Sequence, residues 1–332
     1  MEIKKAHTHY SVFGHPHNLV FGKMHDSPAD FSIDCYNRRG KKKNSYNYLF
    51  TKLDLHKEEK TNFSSKKDIH SMFFDDERFK KDFNQAKISI ERNEIKKVVI
   101  YNTLVLRLNK PFNAFSSLNK IQSANKSHFV YGQWTHNQGI IGLSPEILFK
   151  KSLPETNKFT TVSLAGTTSK EQSSKMLNDS RFNTEQGLVT EHFKEIFSKK
   201  NLPFNISKTQ LEPYHNLVHL KQNIDFKYEG DGESLISELA PTPAVGIYPV
   251  RFLDKYWDNF VFNHESDFDL YGGVFHYNQS GKSDAIVMIR NIQWVNNLIY
   301  INAGCGIIKQ SNFDEELKES KSKIVSVLEL LL

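Results

Sequence analysis

The chain has 332 residues, of which 38% are hydrophobic and 25% are charged, and its formal net charge is +6. This length and composition are typical of a soluble globular protein that buries a large core. No apolar stretch approaches the length of about 18 residues that a membrane span needs, and the N-terminus lacks an apolar signal segment. The only cysteines, Cys35 and Cys305, argue against a disulfide framework. We therefore expect a cytoplasmic protein with no membrane partner.

The positive charge raises the question of nucleic-acid binding. The densest basic cluster is Arg38-Arg39-Gly40-Lys41-Lys42-Lys43, which is short and has no interleaved aromatic residues. Because such runs are usually solvated loops, we predict no nucleic-acid partner. A mild positive field would instead attract a dicarboxylate substrate.

The first 90 residues carry few structural signals. Residues 36–66 hold many Lys, Asn and Ser, which predicts loops or an edge excursion. Several early histidines raise the alternative of a transition-metal site, but no cysteines accompany them, so this is the weaker interpretation. These histidines are His7, His9, His15, His17 and His25.

The middle of the chain shows one helical pattern followed by several strand patterns. Apolar residues spaced by four, three and four predict a helix over residues 76–93. Runs typical of strands are Lys97–Ile100, Leu104–Leu108, Phe129–Trp134, Ile140–Leu143, Glu146–Phe149, Ile286–Ile289 and Leu298–Ile301. Since strands come in adjacent pairs between separate helices, and no repeat or linker divides the chain, we predict one α+β domain over residues 1–332 with antiparallel sheets.

A second helix is predicted over residues 183–196, whose apolar positions form one stripe: Leu188, Val189, Phe193 and Ile196. Glu185 lies at the centre of that stripe. An ionised carboxylate on an inward face is costly unless a metal or cation meets it, so Glu185 is a candidate metal ligand. The alternative is an ordinary acid in the first turn of a helix, where the helix dipole favours negative charge.

A C-terminal helix carries Glu316, Glu319 and Lys323 along one edge of its apolar face. Two carboxylates and an ammonium suit Mg²⁺, which needs only one or two protein carboxylates and takes its other oxygens from water and an anionic substrate. Ser311 and Asp314 form the predicted capping pair of this helix. The alternative is a solvated helix stabilised by charge pairs along its surface.

Seven segments stand in a distinctive order: Ser163-Leu164-Ala165-Gly166-Thr167, the Glu185 helix, Pro241-Thr242-Pro243-Ala244-Val245-Gly246, Tyr271-Gly272-Gly273, Ile289-Arg290, Ala303-Gly304-Cys305-Gly306 and the Glu316/Glu319/Lys323 helix. Their order and spacing resemble the chorismate-binding enzymes, a family that includes isochorismate, salicylate, anthranilate and aminodeoxychorismate synthases. The resemblance covers roughly residues 85–330, and residues 1–84 form a divergent N-terminal part. It implies a four-layer α/β/β/α fold in which two largely antiparallel sheets face each other.

The resemblance also implies two catalytic residues. Lys97, which begins Lys97-Val98-Val99-Ile100, resembles the base that takes a proton from water, and Glu146 resembles the acid that protonates the leaving oxygen. Pro145 restrains the backbone before Glu146 and would aim the carboxyl rigidly. The local alternatives are a strand-end lysine that reaches solvent, as Lys96 would, and an exposed acid after a turn.

The implied substrate, chorismate, carries two carboxylates. Arg290 would clamp the pyruvyl carboxylate bidentately with a hydroxyl donor from Tyr271, and the other carboxylate would lie near Lys323. The complete predicted binding set is Gly166, Thr167, Tyr271, Arg290, Gly304, Gly306 and Lys323. The resemblance implies Mg²⁺ as cofactor, which would absorb charge that shifts towards the ring carboxylate, with Glu185, Glu316 and Glu319 as its ligands.

Ala165 and Lys97 together indicate the nucleophile. Ammonia-using members of the family typically carry lysine at the position of Ala165, so this chain resembles the water-using branch. We therefore predict an isochorismate synthase, with menaquinone and catechol siderophore pathways both compatible with the resemblance. The alternatives are a salicylate synthase, an amine-transferring anthranilate or aminodeoxychorismate synthase, and a catalytically weak chorismate-binding protein.

Six positions depart from the family pattern: Asn102, Phe182, Ala240, Ile247, His276 and Cys305. Phe182 stands three residues before Glu185, where an acid usually supports the metal site. Because such supporting acids orient metal ligands, this departure predicts weaker metal binding. A weak or specialised enzyme is therefore one interpretation.

Overall fold

A computed structural model describes residues 9–16, 18–24, 29–37, 41–50, 66–121, 128–153, 156–214, 216–253, 255 and 270–332. The strands in these ranges are β1 Tyr10–His15, β2 Asn18–Met24, β3 Phe31–Tyr36, β4 Lys42–Phe50, β5 Ile69–Phe74, β6 Lys97–Leu108, β7 Phe129–Trp134, β8 Gln138–Ser144, β9 Ile147–Lys151, β10 Lys158–Ser169, β11 Phe204–Ile206, β12 Gln210–Tyr214, β13 Leu217–Lys227, β14 Ile247–Tyr248, β15 Val274–Gln279, β16 Lys282–Val287, β17 Asn291–Val295 and β18 Leu298–Ile307. The α-helices are α1 Asp76–Glu91, α2 Ala114–Ile121, α3 Ser180–Lys199, α4 Gly232–Leu239 and α5 Phe313–Leu331, and 3₁₀ helices cover Lys66–Asp68, Lys170–Asn178 and Val250–Phe252.

The strand pairings of the described residues are all antiparallel, and they join the strands in one hydrogen-bonded network. The two longest pairings are β6 with β18 and β10 with β13. Strands and helices are segregated rather than alternating as in βαβ units. The predicted α+β class with large antiparallel sheets is confirmed.

Helices cover the outer faces of the sheet network, and an aromatic core fills its interior. Helix α1 packs its predicted apolar face against β6 and β18, and α3 packs Val189, Phe193 and Phe197 against β10 and β13. Between the sheet faces, β1, β3, β7 and β15 contribute stacked rings, such as Phe13 on Tyr277 with centroids 4.8 Å apart. None of the described helices is long and apolar enough to span a bilayer.

Most predicted boundaries shift by only a few residues. The two predicted strands between residues 97 and 108 form the single strand β6, because the intervening Tyr101, Asn102 and Thr103 are also buried and pair with β18. The predicted strand starting at Glu146 begins at Ile147, and the one predicted to end at Ile289 ends at Val287.

The loop prediction for residues 36–66 is wrong where β4 forms. This strand pairs with both β2 and β3, so it is also not a strand at the sheet edge. Its half-buried Tyr46 and buried Tyr48 alternate with exposed Ser45 and Asn47, which is the period of a half-buried strand. The many exposed Lys, Asn and Ser residues suggest a loop when only the composition of the segment is considered, and they hide this alternation. Residues 51–65 lie outside the described ranges.

The predicted capping pair of α5 is also wrong. The N-cap is Asn312, whose Oδ1 accepts hydrogen bonds from the backbone N–H groups of Asp314 at 3.0 Å and Glu315 at 3.3 Å. The Ser311 hydroxyl instead accepts a hydrogen bond from the Ile308 N–H at 3.1 Å. A neighbouring asparagine thus takes the role, since its amide oxygen also reaches the first free N–H groups.

The described members of the histidine and basic clusters have structural partners. The His9 ring packs on Tyr46 with centroids 4.4 Å apart, and the His15 ring packs on Phe129 at 4.2 Å. They do not converge on a group of metal-ligating side chains among the described residues. Lys42 forms ion pairs with Asp34 and Glu233. His7, His17, His25 and residues 38–40 lie outside the described ranges.

Candidate active site

Lys97 is fully buried at the start of β6, which rules out the alternative of a lysine that reaches solvent. Its backbone pairs with β14 through Tyr248, and its Nζ lies 3.1 Å from Glu185 Oε1 of α3. The approach is an ion pair rather than an aligned hydrogen bond. It requires glycine at position 306 of β18, because a Cβ there would lie 2.2 Å from Glu185 Oε1 and 2.6 Å from Lys97 Cε.

Glu146 is 4% exposed, which likewise rules out an exposed acid after a turn. Its backbone is held between β8 and β16, because its N–H donates to Ser144 Oγ at 3.1 Å and its carbonyl accepts from the Val287 N–H at 3.0 Å. Burial raises the pKa of Glu146 to about 7, although Lys97 and a hydrogen bond from Thr242 act in the opposite direction. The carboxyl therefore retains its proton to a higher pH than an ordinary glutamic acid does.

Carboxylates from α3 and α5 form a second part of the site. Glu316 is 4% exposed, so the alternative of a fully solvated helix face is wrong for this residue. Burial raises the pKa of Glu316 well above its usual value, and the nearby Glu319 and Glu185 carboxylates raise it further. Oxygens of Glu316 and Glu319 lie within 4.8 Å of each other and of the Cys305 Sγ.

This carboxylate group fits a hard divalent cation. Glu316 and Glu319 offer oxygen donors of the kind that Mg²⁺ prefers, whereas Glu185 is not part of this close group of ligand atoms and acts on Glu316 through its charge. A cation would relieve the mutual repulsion that raises the pKa of Glu316. The Cys305 thiol is buried and donates to the backbone carbonyl of Glu316 at 3.3 Å. Burial raises the pKa of Cys305 well above its usual value, so it remains a neutral neighbour of these oxygens.

Lys323 and Tyr271 are tied together by the glycine-rich strand β18. The Lys323 ammonium lies 2.7 Å from Glu319 Oε1 and donates to the Gly304 carbonyl at 2.8 Å. Burial alone would lower the pKa of Lys323, but the Glu319 carboxylate raises it, so Lys323 is a cation. The Gly304 N–H donates to the Tyr271 hydroxyl at 2.7 Å. The Gly304 N–H, which was predicted to contact substrate, is therefore already bonded to Tyr271, and both residues line the cavity.

Arg290 follows β16 in a left-handed conformation, with φ of 56°. It is 5% exposed, and its guanidinium carbon lies 4.7 Å from the centroid of the Tyr214 ring. The Nη1 group is buried and has no hydrogen-bond partner among the described residues. A buried guanidinium with free donors is suited to a carboxylate ligand.

The sequence analysis missed His219, which links Arg290 to the predicted glycine loop. Gly166 lies at a bulge of β10 with φ of 70°, and its carbonyl is 3.1 Å from His219 Nδ1. His219 Nε2 is 3.1 Å from Arg290 Nη2, and the Thr167 hydroxyl is 3.1 Å from Nδ1. The available signal was a lone histidine inside the apolar run Leu217–Leu220 of β13, which requires buried polar partners.

One cavity of about 60 Å³ is lined by most of the predicted residues. Predicted site residues that line it are Glu146, Gly166, Thr167, Glu185, Tyr271, Arg290, Gly304, Gly306 and Lys323. Lys97 reaches it through Glu185, while Glu316 and Glu319 lie beside it on α5 rather than in its wall. Ala165 also lines the wall, so the lysine of ammonia-using members has no counterpart there.

The residues that depart from the family pattern occupy ordinary structural positions. Asn102 donates to Asp76 Oδ1 at 3.0 Å, Ala240 packs in the core beside α4, and Ile247 is buried in β14. His276 lies 2.9 Å from Ser283 Oγ. Phe182 packs with Met176, Val218 and Leu220, so it supplies no polar group to the carboxylates.

The chain is similar to known proteins in both sequence and fold. The profile of the family described as chorismate binding enzyme matches residues 32–332. Isochorismate synthase MenF of Haemophilus influenzae is 27% identical over 263 residues, which are 74% of this chain and 59% of that protein. The structure of MenF, the menaquinone-specific isochorismate synthase of Escherichia coli, matches with a TM-score of 0.76 at 16% identity, covering 99% of this chain and 90% of that chain. Anthranilate synthase component I of Streptococcus pneumoniae matches with a TM-score of 0.69 at 15% identity, covering 99% and 93%.

These comparisons differ in what they establish. The chain spans about three-fifths of the length of the curated relative from Haemophilus influenzae, 59%. The two solved structures share the fold at identities too low to carry an activity. The family profile, in contrast, extends over residues 32–332 and so begins well before residue 85, where the predicted resemblance starts. The chain belongs to the chorismate binding enzyme family.

Proposed function

We propose that this protein is a Mg²⁺-dependent isochorismate synthase, which adds water to one ring carbon of chorismate while hydroxide leaves another. The observation that carries the proposal is the position of Glu146, whose buried carboxyl lines the cavity and accepts a hydrogen bond from the Thr242 hydroxyl. Burial raises the pKa of its carboxyl to about 7, so a proton is available at neutral pH for a leaving oxygen. An acid with an ordinary pKa would have lost that proton.

The attacking water needs a base to take its proton. Lys97 is buried beside the cavity with its ammonium paired to Glu185, and once it has given up a proton its amine is the group that would take one from the attacking water. The water oxygen then bonds to the ring, and the leaving hydroxyl takes the Glu146 proton and departs as water. Base and acid each change by one proton, so the reaction is balanced overall.

The remaining residues would hold chorismate in place. Arg290 and Thr167 offer hydrogen-bond donors to one carboxylate of chorismate. Lys323 is a cation at the end of the cavity that lies near the protein's own carboxylates. Glu185 and Glu319, with Glu316, would hold Mg²⁺, which supplies positive charge for negative charge that shifts towards the ring carboxylate. Ala165 supports water rather than ammonia as the nucleophile, because alanine rather than lysine occupies this position of the cavity wall.

The test is incubation of the protein with chorismate and Mg²⁺, followed by chromatographic identification of the products. Isochorismate supports the proposal, and added ammonium salts should not divert the reaction. Salicylate with pyruvate would indicate a salicylate synthase, for which we find no dedicated eliminating residue. Anthranilate or aminodeoxychorismate would overturn the choice of nucleophile, and the absence of any product would indicate a chorismate-binding protein.

A further inference from the structure

His219 contacts both groups that face the predicted carboxylate position, and its partners determine its tautomer. The Gly166 carbonyl can only accept a hydrogen bond, so the proton must lie on Nδ1, 3.1 Å away. Nε2 then carries a lone pair and accepts a hydrogen bond from Arg290 Nη2 at 3.1 Å. His219 is therefore neutral, with its donor directed to β10 and its acceptor to Arg290.

This polarity also determines what Thr167 can do. Its hydroxyl oxygen lies 3.1 Å from the protonated Nδ1, so the oxygen accepts a share of that hydrogen bond. The hydroxyl hydrogen of Thr167 remains available to a ligand in the cavity. Arg290 donates one Nη2 hydrogen to His219, and its buried Nη1 group has no hydrogen-bond partner among the described residues. One histidine thus orients two donors towards the same place.

The surroundings of His219 favour this neutral form. Burial lowers its pKa well below the usual range, and the nearby positive charges of Arg290 and Lys323 lower it further. The Tyr214 ring supports the guanidinium from another side, with the guanidinium carbon 4.7 Å from the ring centroid. The Tyr214 hydroxyl is itself fixed, because it donates to the Leu143 carbonyl at 2.9 Å. Arg290 is therefore held at its tip by His219 and along its plane by Tyr214.

We propose that His219 is a positioning residue, which as the neutral Nδ1–H tautomer sets Arg290 and Thr167 to bind one carboxylate of chorismate. The inference rests on the proposed function for the identity of the ligand. Because His219 would act through groups that bind the carboxylate equally in the ground and transition states, its loss should raise KM and leave kcat nearly unchanged.

The experiment measures chorismate binding by calorimetry, together with KM and kcat, for His219→Phe and His219→Gln. Phenylalanine fills the space but removes both hydrogen bonds, so the Kd and KM should rise roughly 10- to 100-fold, the range for hydrogen bonds to charged groups. The glutamine amide oxygen can replace Nε2 as the acceptor for Arg290, so His219→Gln should recover most of this loss.

A matched control separates positioning from general packing. His192 is a buried histidine of α3 that does not line the cavity, and its Nε2 has no hydrogen-bond partner among the described residues. His192→Phe should leave Kd and KM unchanged. If His192→Phe raised KM as much as His219→Phe, the loss would reflect packing and the positioning role would be overturned.

A double-mutant cycle tests whether His219 acts through Arg290. Once Arg290→Ala has removed the guanidinium, adding His219→Phe should raise the Kd for chorismate much less than it does in the wild type, because only the effect through Thr167 remains. Full additivity would overturn the inference. Equal binding by wild type and His219→Phe would overturn it while leaving the proposed function intact. Binding without isochorismate formation would remove the proposed function only, and a wild-type chain that does not bind chorismate would remove both.

Discussion

Glu146 and Glu316 are equally buried carboxyl groups of one site, but their neighbours have opposite charges. Burial raises the pKa of both. Around Glu146, the cations Lys97, Lys323 and Arg290 pull the pKa back down, to about 7. Around Glu316, the carboxylates of Glu319 and Glu185 push it further up.

Because their neighbours are oppositely charged, the two carboxyl groups favour different chemistry at the two ends of the same site. At the cationic end, a carboxyl keeps its proton through desolvation alone, so it can donate that proton to a substrate without any added ion. At the acidic end, the carboxylates oppose one another, so a divalent cation is the partner that would satisfy them. We call these the Glu146 end and the Glu316 end of the site.

The largest expected effect comes from removing a carboxylate at the Glu316 end. Glu185→Gln or Glu319→Gln should abolish the stimulation of turnover by Mg²⁺, because each change removes one of the few negatively charged ligands that the ion requires. The measurement is turnover of chorismate against Mg²⁺ concentration, with circular dichroism to verify folding.

Glu191→Gln is the control, since Glu191 is an exposed carboxylate on the same helix, α3, and pairs only with Lys194 among the ion pairs described. This variant should respond to Mg²⁺ as the wild type does. Undiminished Mg²⁺ stimulation in Glu185→Gln or Glu319→Gln would show that the Glu316 end is not the metal site.

The next largest effect is expected at the Glu146 end. Lys97→Ala and Glu146→Gln should each lower kcat by about 10²- to 10⁴-fold, the usual contribution of a positioned acid or base. Substrate affinity should change much less, because these interactions are made mainly in the transition state. Steady-state kinetics at saturating Mg²⁺ provides the measurement.

Lys96→Ala is the matched control for the lysine, because Lys96 is exposed and adjacent to Lys97 in sequence. It should retain full activity. Near-normal kcat in Lys97→Ala would exclude Lys97 as the base, and near-normal kcat in Glu146→Gln would exclude Glu146 as the acid, independently of each other.

A third prediction uses stability rather than turnover to test the state of Glu146. Its pKa is raised from 4.5 to about 7 on folding, so its contribution to stability is present below pH 4.5 and is lost as pH rises through 7. Relative to Glu146→Gln, which cannot ionise, the wild type should lose about 3 kcal/mol of unfolding free energy between about pH 4 and pH 8. Urea unfolding at several pH values measures this difference.

Titration of Glu316 occurs in both proteins and therefore cancels from the comparison. A parallel pH dependence of the wild type and Glu146→Gln would show that Glu146 is ionised like an ordinary glutamate. In that case the Glu146 end would lose its distinction from the Glu316 end.

The fold was predictable wherever the apolar period was regular. The spacing of Phe79, Phe83, Ala86 and Ile90 predicted α1 because those apolar side chains pack against the sheet. The strand β4 escaped prediction because its period is carried by half-buried Tyr46 and buried Tyr48 among polar residues that dominate the composition. Boundaries moved where pairing with a partner strand, as at β6, extended an element beyond its apolar run.

Glu185 was predictable from the sequence itself, because an acid on an apolar helix face marks a special environment. Lys97, Glu146 and Gly306 were predicted through the resemblance to the family, since their local sequences alone favour ordinary structural roles. His219 stood out only as a polar residue in the apolar run Leu217–Leu220, and its role was not predictable because it depends on Gly166 and Arg290, which lie 53 and 71 residues away along the chain. Contacts of that range arise from the register of β13 with β10, which no local pattern specifies.

The smallest predicted effect concerns Asn312, the cap that the sequence assigned to Ser311. Asn312→Ala should lower the unfolding free energy by about 1 kcal/mol, because two N–H groups in the first turn of α5 lose their acceptor. Asn312→Ser should retain most of the stability, since a serine hydroxyl can cap in the same way. Both values come from urea unfolding at one pH.

This change also separates the two ends of the site, because the first turn of α5 carries Glu316 but not Glu146. Loosening that turn should weaken Mg²⁺ binding, measured by calorimetry, while the pH-dependent stability attributed to Glu146 stays as in the wild type. Asp231→Ala, which removes the cap of α4, is the matched control: it should lower stability comparably and leave Mg²⁺ affinity unchanged. If Asn312→Ala cost no stability, Asn312 would not be the cap, and if both variants weakened Mg²⁺ binding equally, the Glu316 end would respond to global stability rather than to the start of its own helix.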